Sequence, residues 1–267
     1  MTFNAIIVGM PRSGTSMTTA IFSRKGYFVA EDETKELRKG DEYNPSGYWE
    51  AEPLINANTE VFQSAGFMRD NTWLYENIEH QQLLKILELK KSESHADLVQ
   101  QYYNHSPWIW KDPRLCYTIG YWWQYMNPEN TRVLLLKRDP KEIYQSFLRV
   151  KWRSTNKADK EDTFKRVEEH INAAELAIQK HNIPHIVIDY ADFESDPTST
   201  AKKIGDCFRM ELNADELGFS SKLNNSHLSG KISTTLDRMA DKLPDGLRKT
   251  IKFLVPKSLL KKIFPHR

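Results

Sequence analysis

The segment "NAIIVGMPRSGTSMTTAIFSRKG", residues 4–26, constrains this chain more than any other. An apolar run from Ala5 to Val8 enters a turn bracketed by Gly9 and Gly14, and apolar residues then recur at Met17, Ile21 and Phe22 before Gly26. A short continuous apolar run reads as a buried strand, and spacings of three to four read as one face of a helix that a glycine stops. Strand, glycine-rich loop and helix in that order form the opening unit of a parallel sheet, because a helical crossover returns the chain in the same direction.

The alternation continues along the chain. "YFVAE", "WIW" before "KDPR", "TRVLLLKRD" and "HIVIDY" read as further strands, and each is followed by a stretch of helical character. The longest helical stretches are "EPLINANTEVFQSAG", "HQQLLKILELKKSESHADLVQQYY" and "KEDTFKRVEEHINAAELAIQKHN". The expected fold is therefore α/β, a three-layer α/β/α arrangement around a mainly parallel central sheet. The polar run "DETKELRKGDEYNPSGYWE", residues 32–50, reads as a long loop, which in a compact domain usually serves function. A helical lid is expected between residues 70 and 105.

At 267 residues, with 39% hydrophobic and 28% charged residues, the chain is globular in composition and is expected neither to be disordered nor to form a membrane bundle. Cys116 and Cys207 form no disulfide framework and no zinc spacing, and the first residues lack the basic start of a signal peptide, so a cytoplasmic location is expected. Charge is uneven. Residues 247–267 carry seven Lys/Arg and no acid, and subtracting these from the overall +2 leaves −5 for the remainder. The expected organisation is a domain over residues 1–246 and a basic amphipathic tail over 247–267. In that tail Leu247, Ile251 and Leu254, then Leu259, Leu260, Ile263 and Phe264, share helical faces on either side of Pro256. The pattern suits either packing on the domain or an anionic membrane surface, which would make the protein peripheral on the inner membrane face. No nucleic-acid partner is expected.

The loop sets the chemistry. Its backbone N–H groups and the helix N-terminus form an anion cradle to which Ser13, Gly14, Thr15 and Ser16 contribute, with hydroxyl donors at Thr15 and Ser16. In a nucleotide triphosphatase the second glycine is followed by lysine, which with Mg²⁺ neutralises a γ-phosphate, but here Thr15 follows Gly14. Arg12 is the cation available inside the loop, and no metal is expected. A P-loop kinase or NTPase, and a noncatalytic nucleotide-sensing module held at a membrane by its tail, remain as alternative readings.

The run Pro11-Arg12-Ser13-Gly14-Thr15-Ser16 resembles the phosphosulfate loop of the sulfotransferases that use 3′-phosphoadenosine-5′-phosphosulfate (PAPS). A second match lies in "VLLLKRDPKEIYQSF", where Arg138 ends a strand and Ser146 follows eight positions later. This resembles the pair that holds the donor's 3′-phosphate, and a guanidinium fork suits a phosphate dianion. The resemblance implies a P-loop-type sulfotransferase fold and sulfuryl transfer to a hydroxyl-bearing acceptor: a carbohydrate, lipid head group or small alcohol. It extends to "VIDYADFESDPTSTAKKIGDCF", with Tyr190 as a cofactor contact or a core tyrosine. It reaches "NNSHLSGK", with Lys231, and Ser226 beside it, as phosphate contacts or solvated loop residues.

Such transfer needs a base for the acceptor's proton and cations for charge on the sulfonate and bridging oxygen. Arg12 is the first cation. Lys111 in "WIWKDPR" is the second, since tyrosylprotein sulfotransferases have a similar Lys-Asp-Pro at a catalytic position; the alternatives are Lys111–Asp112 or Asp112–Arg114 surface pairs. Two glutamates compete as base. Glu33 in "AEDETK" resembles the base segment of tyrosylprotein sulfotransferases, whereas Glu50 in "NPSGYWE" is similar to a segment of bacterial carbohydrate and small-molecule sulfotransferases. Glu50, beside Tyr48 and Trp49, is preferred. The histidines form no recognisable constellation, and the clusters "WIW" and "YWWQYM" read as core rather than as a substrate platform.

Overall fold

The structure, a computed structural model of the chain, describes residues 2–37, 40, 41, 44, 47–67 and 80–219. Four strands, β1 (Asn4–Val8), β2 (Ile109–Lys111), β3 (Thr131–Lys137) and β4 (His185–Asp189), form one sheet in the order β2-β1-β3-β4. Every pairing is parallel; Ile7 lies opposite Lys111 of β2 and Leu134 of β3. The sheet is thus the parallel α/β sheet expected. After β1 the chain goes first to one neighbour and later to the other, so the strand order reverses at β1. In open parallel sheets that reversal opens a crevice at the carboxyl ends of the strands.

Alternation along the strands sorts the helices onto two faces. Ala5, Ile7, Ile109, Leu134, Leu136 and Ile188 pack on one side with Ile21 and Phe22 of α1 (Thr15–Arg24) and with the helix Pro197–Phe208, which supplies Ile204 and Phe208. Phe22 meets Phe208 edge to face at 4.8 Å between centroids. On the opposite side Trp110 meets Trp122 at 5.2 Å and Tyr102 at 5.3 Å, which seats the helices Leu115–Trp122 and Glu93–Tyr103 there. The aromatic clusters "WIW" and most of "YWWQYM" are core, as read: Trp108, Trp110, Tyr121 and Trp122 are at most 2% exposed.

Ten α-helices occur among the described residues. In chain order they are α1, α2 (Glu33–Glu36), α3 (Glu52–Ser64), α4 (His80–Glu88), α5 (Glu93–Tyr103), α6 (Leu115–Trp122), α7 (Pro140–Arg149), α8 (Lys157–Lys180), α9 (Asp192–Ser195) and α10 (Pro197–Phe208). Of the helical lid expected between residues 70 and 105, residues 70–79 lie outside the described residues; the rest holds α4 and α5, which bury residues in the core, Ile86 from one and Val99 and Tyr102 from the other. None of the described helices is long and apolar enough to cross a membrane.

"YFVAE" departs from expectation. Tyr27, Val29 and Ala30 are buried, but among the described residues the segment forms one parallel bridge, Phe28 to Trp108, through Phe28 N–H to the Pro107 carbonyl and Ile109 N–H to the Phe28 carbonyl, both 2.9 Å. The Val29 carbonyl then accepts the Tyr102 hydroxyl at 3.0 Å, and the Asp32 side chain caps α2 through Thr34 N–H. The pairing does not continue past Phe28, and the chain turns into α2 within a few residues.

The described residues fall into two compact units: one runs to Arg138 and resumes over Lys165–Phe219, and the other is Asp139–Phe164. Within the second, Phe147 packs on Trp152 at 5.4 Å between centroids, the Tyr144 hydroxyl donates to the Ser154 carbonyl at 2.9 Å, and Arg153 pairs with Asp162 at 2.6 Å.

Candidate functional site

The ends of β1, β2, β3 and β4 carry the loop, Lys111, Arg138 and Tyr190 respectively, so the sheet brings four separately read segments to one edge. In the loop, Ser13 N–H closes a turn onto the Met10 carbonyl at 3.1 Å, and Arg12 and Gly14 have positive φ, 68° and 101°. Helix α1 then starts at Thr15 with no side chain capping its first turn, and its first internal bond is Thr18 N–H to the Gly14 carbonyl. The opening N–H groups of a helix lack internal acceptors and attract anions. The Ser13 hydroxyl is fully buried and without a partner among the described residues. An orphaned donor inside a glycine-rich turn fits an anion such as a donor's phosphate, because burying it unsatisfied is costly.

Lys111 is the centre of a second cluster. Its Nζ donates to the Tyr48 carbonyl at 3.0 Å, to Ser16 Oγ at 3.3 Å and to Glu50 Oε1, and Ser16 Oγ donates to the same Tyr48 carbonyl at 3.2 Å. The Lys111 and Glu50 side chains are 3% and 18% exposed. The Lys111–Asp112 surface pair is therefore absent. Lys111 is turned to Glu50, and Asp112 has other partners, accepting Arg114 N–H at 2.8 Å, Arg114 Nη1 at 3.1 Å and Asn58 Nδ2 at 3.1 Å. The Asp112–Arg114 pair does exist, but it is buried rather than on the surface. Burial pushes the Asp112 carboxyl up, opposed by the Arg114 guanidinium. Burial likewise pushes the nearby Cys116 thiol up, which removes it as a nucleophile at neutral pH. Glu33 begins the four-residue helix α2, where it is exposed, and it is not among the groups gathered around Lys111.

Arg138 and Tyr190 meet the loop from β3 and β4. Arg138 Nη1 donates to the Arg12 carbonyl at 2.9 Å, and the guanidinium carbon lies 4.0 Å from the Tyr190 ring centroid. Tyr190 is 7% exposed, and its ring lies so close to Gly14 that an added Cβ would meet Cδ2 at 2.4 Å. Tyr190 is thus a buried tyrosine at a strand end and a wall of the loop together. Ser146 is buried on α7 in the second unit. Ser226, Lys231 and residues 247–267 lie outside the described residues.

Residues 5–214 match the model of a family described as "Sulfotransferase family". The chain belongs to the sulfotransferase family. Its activity is accordingly sulfuryl transfer from a donor to a hydroxyl-bearing acceptor, which makes it a transferase. Among solved structures it is similar to a sulfotransferase domain from the Synechococcus PCC 7002 olefin synthase, with 15% identity over 95% of each chain and a TM-score of 0.41. No curated protein matches it.

This sulfotransferase also contains buried polar groups that sequence reasoning did not single out. Asn58 of α3, fully buried, donates to Asp112 and accepts from the Thr118 hydroxyl at 2.7 Å and from Trp122 Nε1 at 2.8 Å, tying α3, the end of β2 and α6 together. His95 bridges the Tyr121 hydroxyl at 2.7 Å and Glu60 at 3.1 Å. His170 contacts the Tyr117 hydroxyl at 2.7 Å, and burial pushes its pKa down to about 3, so it is neutral. No sequence signal announces these contacts, since each joins residues far apart in the chain. Among the described residues no group of histidines, cysteines and carboxylates could hold a metal ion.

Proposed function

We propose that this sulfotransferase moves the sulfuryl group of PAPS to an acceptor hydroxyl by in-line displacement, with Glu50 as the base. The observation that carries the reading is the cluster of Lys111, Glu50 and Ser16, which sets a carboxylate and a cation beside the first turn of α1. When bound, PAPS supplies an activated sulfuryl group on a bisphosphate leaving group. Ser13, Gly14, Thr15 and Ser16 hold the 5′-phosphosulfate through backbone N–H groups and hydroxyls. Arg12 and Lys111 offset charge on the leaving oxygen and the sulfonate. Glu50 accepts the proton of the incoming hydroxyl, a role for which its place beside Lys111 and Ser16 at the first turn of α1 favours it over the exposed Glu33. Arg138 recognises the 3′-phosphate, a role that the sequence pattern also gives to Ser146, with Tyr190 as a donor contact and Lys231 as a further phosphate contact. The acceptor is a carbohydrate, lipid head group or small alcohol.

The test is calorimetry without Mg²⁺. 3′,5′-Bisphosphoadenosine should bind tens-fold to about a hundredfold more tightly than AMP or ATP, the gain of one charge-assisted phosphate site. Equal binding of AMP and the bisphosphate, or binding of ATP only with Mg²⁺, would refute the donor assignment.

A further inference from the structure

Arg138 makes two contacts that a simple phosphate-binding arginine does not need. Its Nη1 donates to the Arg12 carbonyl at 2.9 Å, and its guanidinium carbon lies over the Tyr190 ring, 4.0 Å from the centroid. Arg12 has φ 68°, a conformation that an L residue keeps only where its surroundings impose it. The bond from Arg138 is one such restraint. At the other end of the turn the Tyr190 ring lies against Gly14, so Arg138, Tyr190 and the loop form one continuous stack.

We propose that Arg138 is a positioning residue for the anion loop: through the Arg12 carbonyl it sets the loop's shape and the aim of Arg12, and so couples occupation of the 3′-phosphate site to transfer. The inference rests on the donor reading above. Its physical basis is preorganisation, since a loop already held in its binding shape loses less freedom when the anion arrives. The consequence concerns ligands that have no 3′-phosphate at all. An arginine that only grips the 3′-phosphate is irrelevant to AMP, whereas an arginine that shapes the loop is not.

Calorimetry on the full chain with AMP and with 3′,5′-bisphosphoadenosine, for the wild type and Arg138→Ala, separates the two roles. Loss of one hydrogen bond that holds the loop should weaken AMP about fivefold, and the bisphosphate should lose that factor and its selectivity as well. AMP affinity within twofold of wild type in Arg138→Ala would overturn the proposal while leaving the donor reading intact. Conversely, a wild type that prefers AMP or shows no preference sinks the donor reading, and one that binds neither nucleotide sinks both. If Arg138→Ala does not fold, Arg138→Lys decides: its compact ammonium keeps much of the preference for the bisphosphate but lacks the fork, so AMP should still bind more weakly. Turnover with adenosine 5′-phosphosulfate supplies a readout that stability alone does not move. Its kcat should fall in Arg138→Ala, yet Arg138→Ala should cost little further kcat once Arg12→Ala is present. Additive losses in that pair would refute the coupling.

Discussion

Gly14→Ala tests whether the loop's shape is set by Tyr190. Two costs are expected at this position. The backbone φ of 101° is strained for any residue with a Cβ, and the new Cβ would lie 2.4 and 2.5 Å from Cδ2 and Cε2 of Tyr190. The strain is worth ~1–2 kcal/mol. Overpacking against a ring that is 7% exposed and lies under the Arg138 guanidinium adds ~1–3 kcal/mol, because the ring has little room to retreat. Gly26→Ala is the internal control: its φ of 84° imposes similar strain, but nothing lies within 4 Å of the added Cβ. In urea titrations followed by tryptophan fluorescence, Gly26→Ala should lose about 1 kcal/mol and Gly14→Ala about 3 kcal/mol. In a Tyr190→Ala background the Gly14→Ala cost should shrink to about that of Gly26→Ala. Equal costs at the two glycines, or an undiminished cost once Tyr190 is removed, would refute the argument that the ring walls the loop.

Glu50→Gln should leave bisphosphate affinity near wild type while lowering turnover about a hundredfold, and Glu33→Gln should be mild; the reverse pattern in steady-state kinetics would move the base to Glu33. His170 gives a pH signature. Its folded pKa of about 3 lies below the ordinary histidine value, so the unfolded chain takes up a proton that the folded chain refuses. The resulting stability is full above ~6.5 and is lost as pH falls, at ~1.4 kcal/mol per pH unit. Urea titrations at pH 7 and 5 should therefore show a steeper loss for wild type than for His170→Gln, and parallel losses would contradict a buried neutral imidazole. From the sequence pattern of residues 247–267, the full chain should co-sediment with anionic but not neutral vesicles and be released by salt, whereas a chain ending at Gly246 should not bind them yet keep its bisphosphate affinity. Unfolding or aggregation on truncation, with no vesicle binding by the full chain, would make the tail structural.

Local order in the chain determined β1, the Gly9–Gly14 turn and α1, because a strand, a turn and a helix that follow one another leave their periodicities and glycines in contiguous residues. Three further strands and the long helices were legible for the same reason. The resemblance of short motifs to sulfotransferase segments also nominated Lys111, Glu50, Arg138 and Tyr190 one by one. What the chain order did not contain was their pairing. Lys111 turns to Glu50, 61 positions earlier, rather than to its neighbour Asp112, and that choice exists only because β2 lies beside β1 where residues 47–50 return. The bond from Arg138 to the Arg12 carbonyl spans 126 positions and depends on β3 lying on the other side of β1. "YFVAE" has strand composition, yet it meets β2 through the single bridge of Phe28 to Trp108, while its Val29 carbonyl accepts the hydroxyl of Tyr102, 73 positions away. Apolar pattern is a property of consecutive residues, whereas hydrogen-bond partners and ion pairs are fixed by which strand ends meet, and only the assembled sheet decides that.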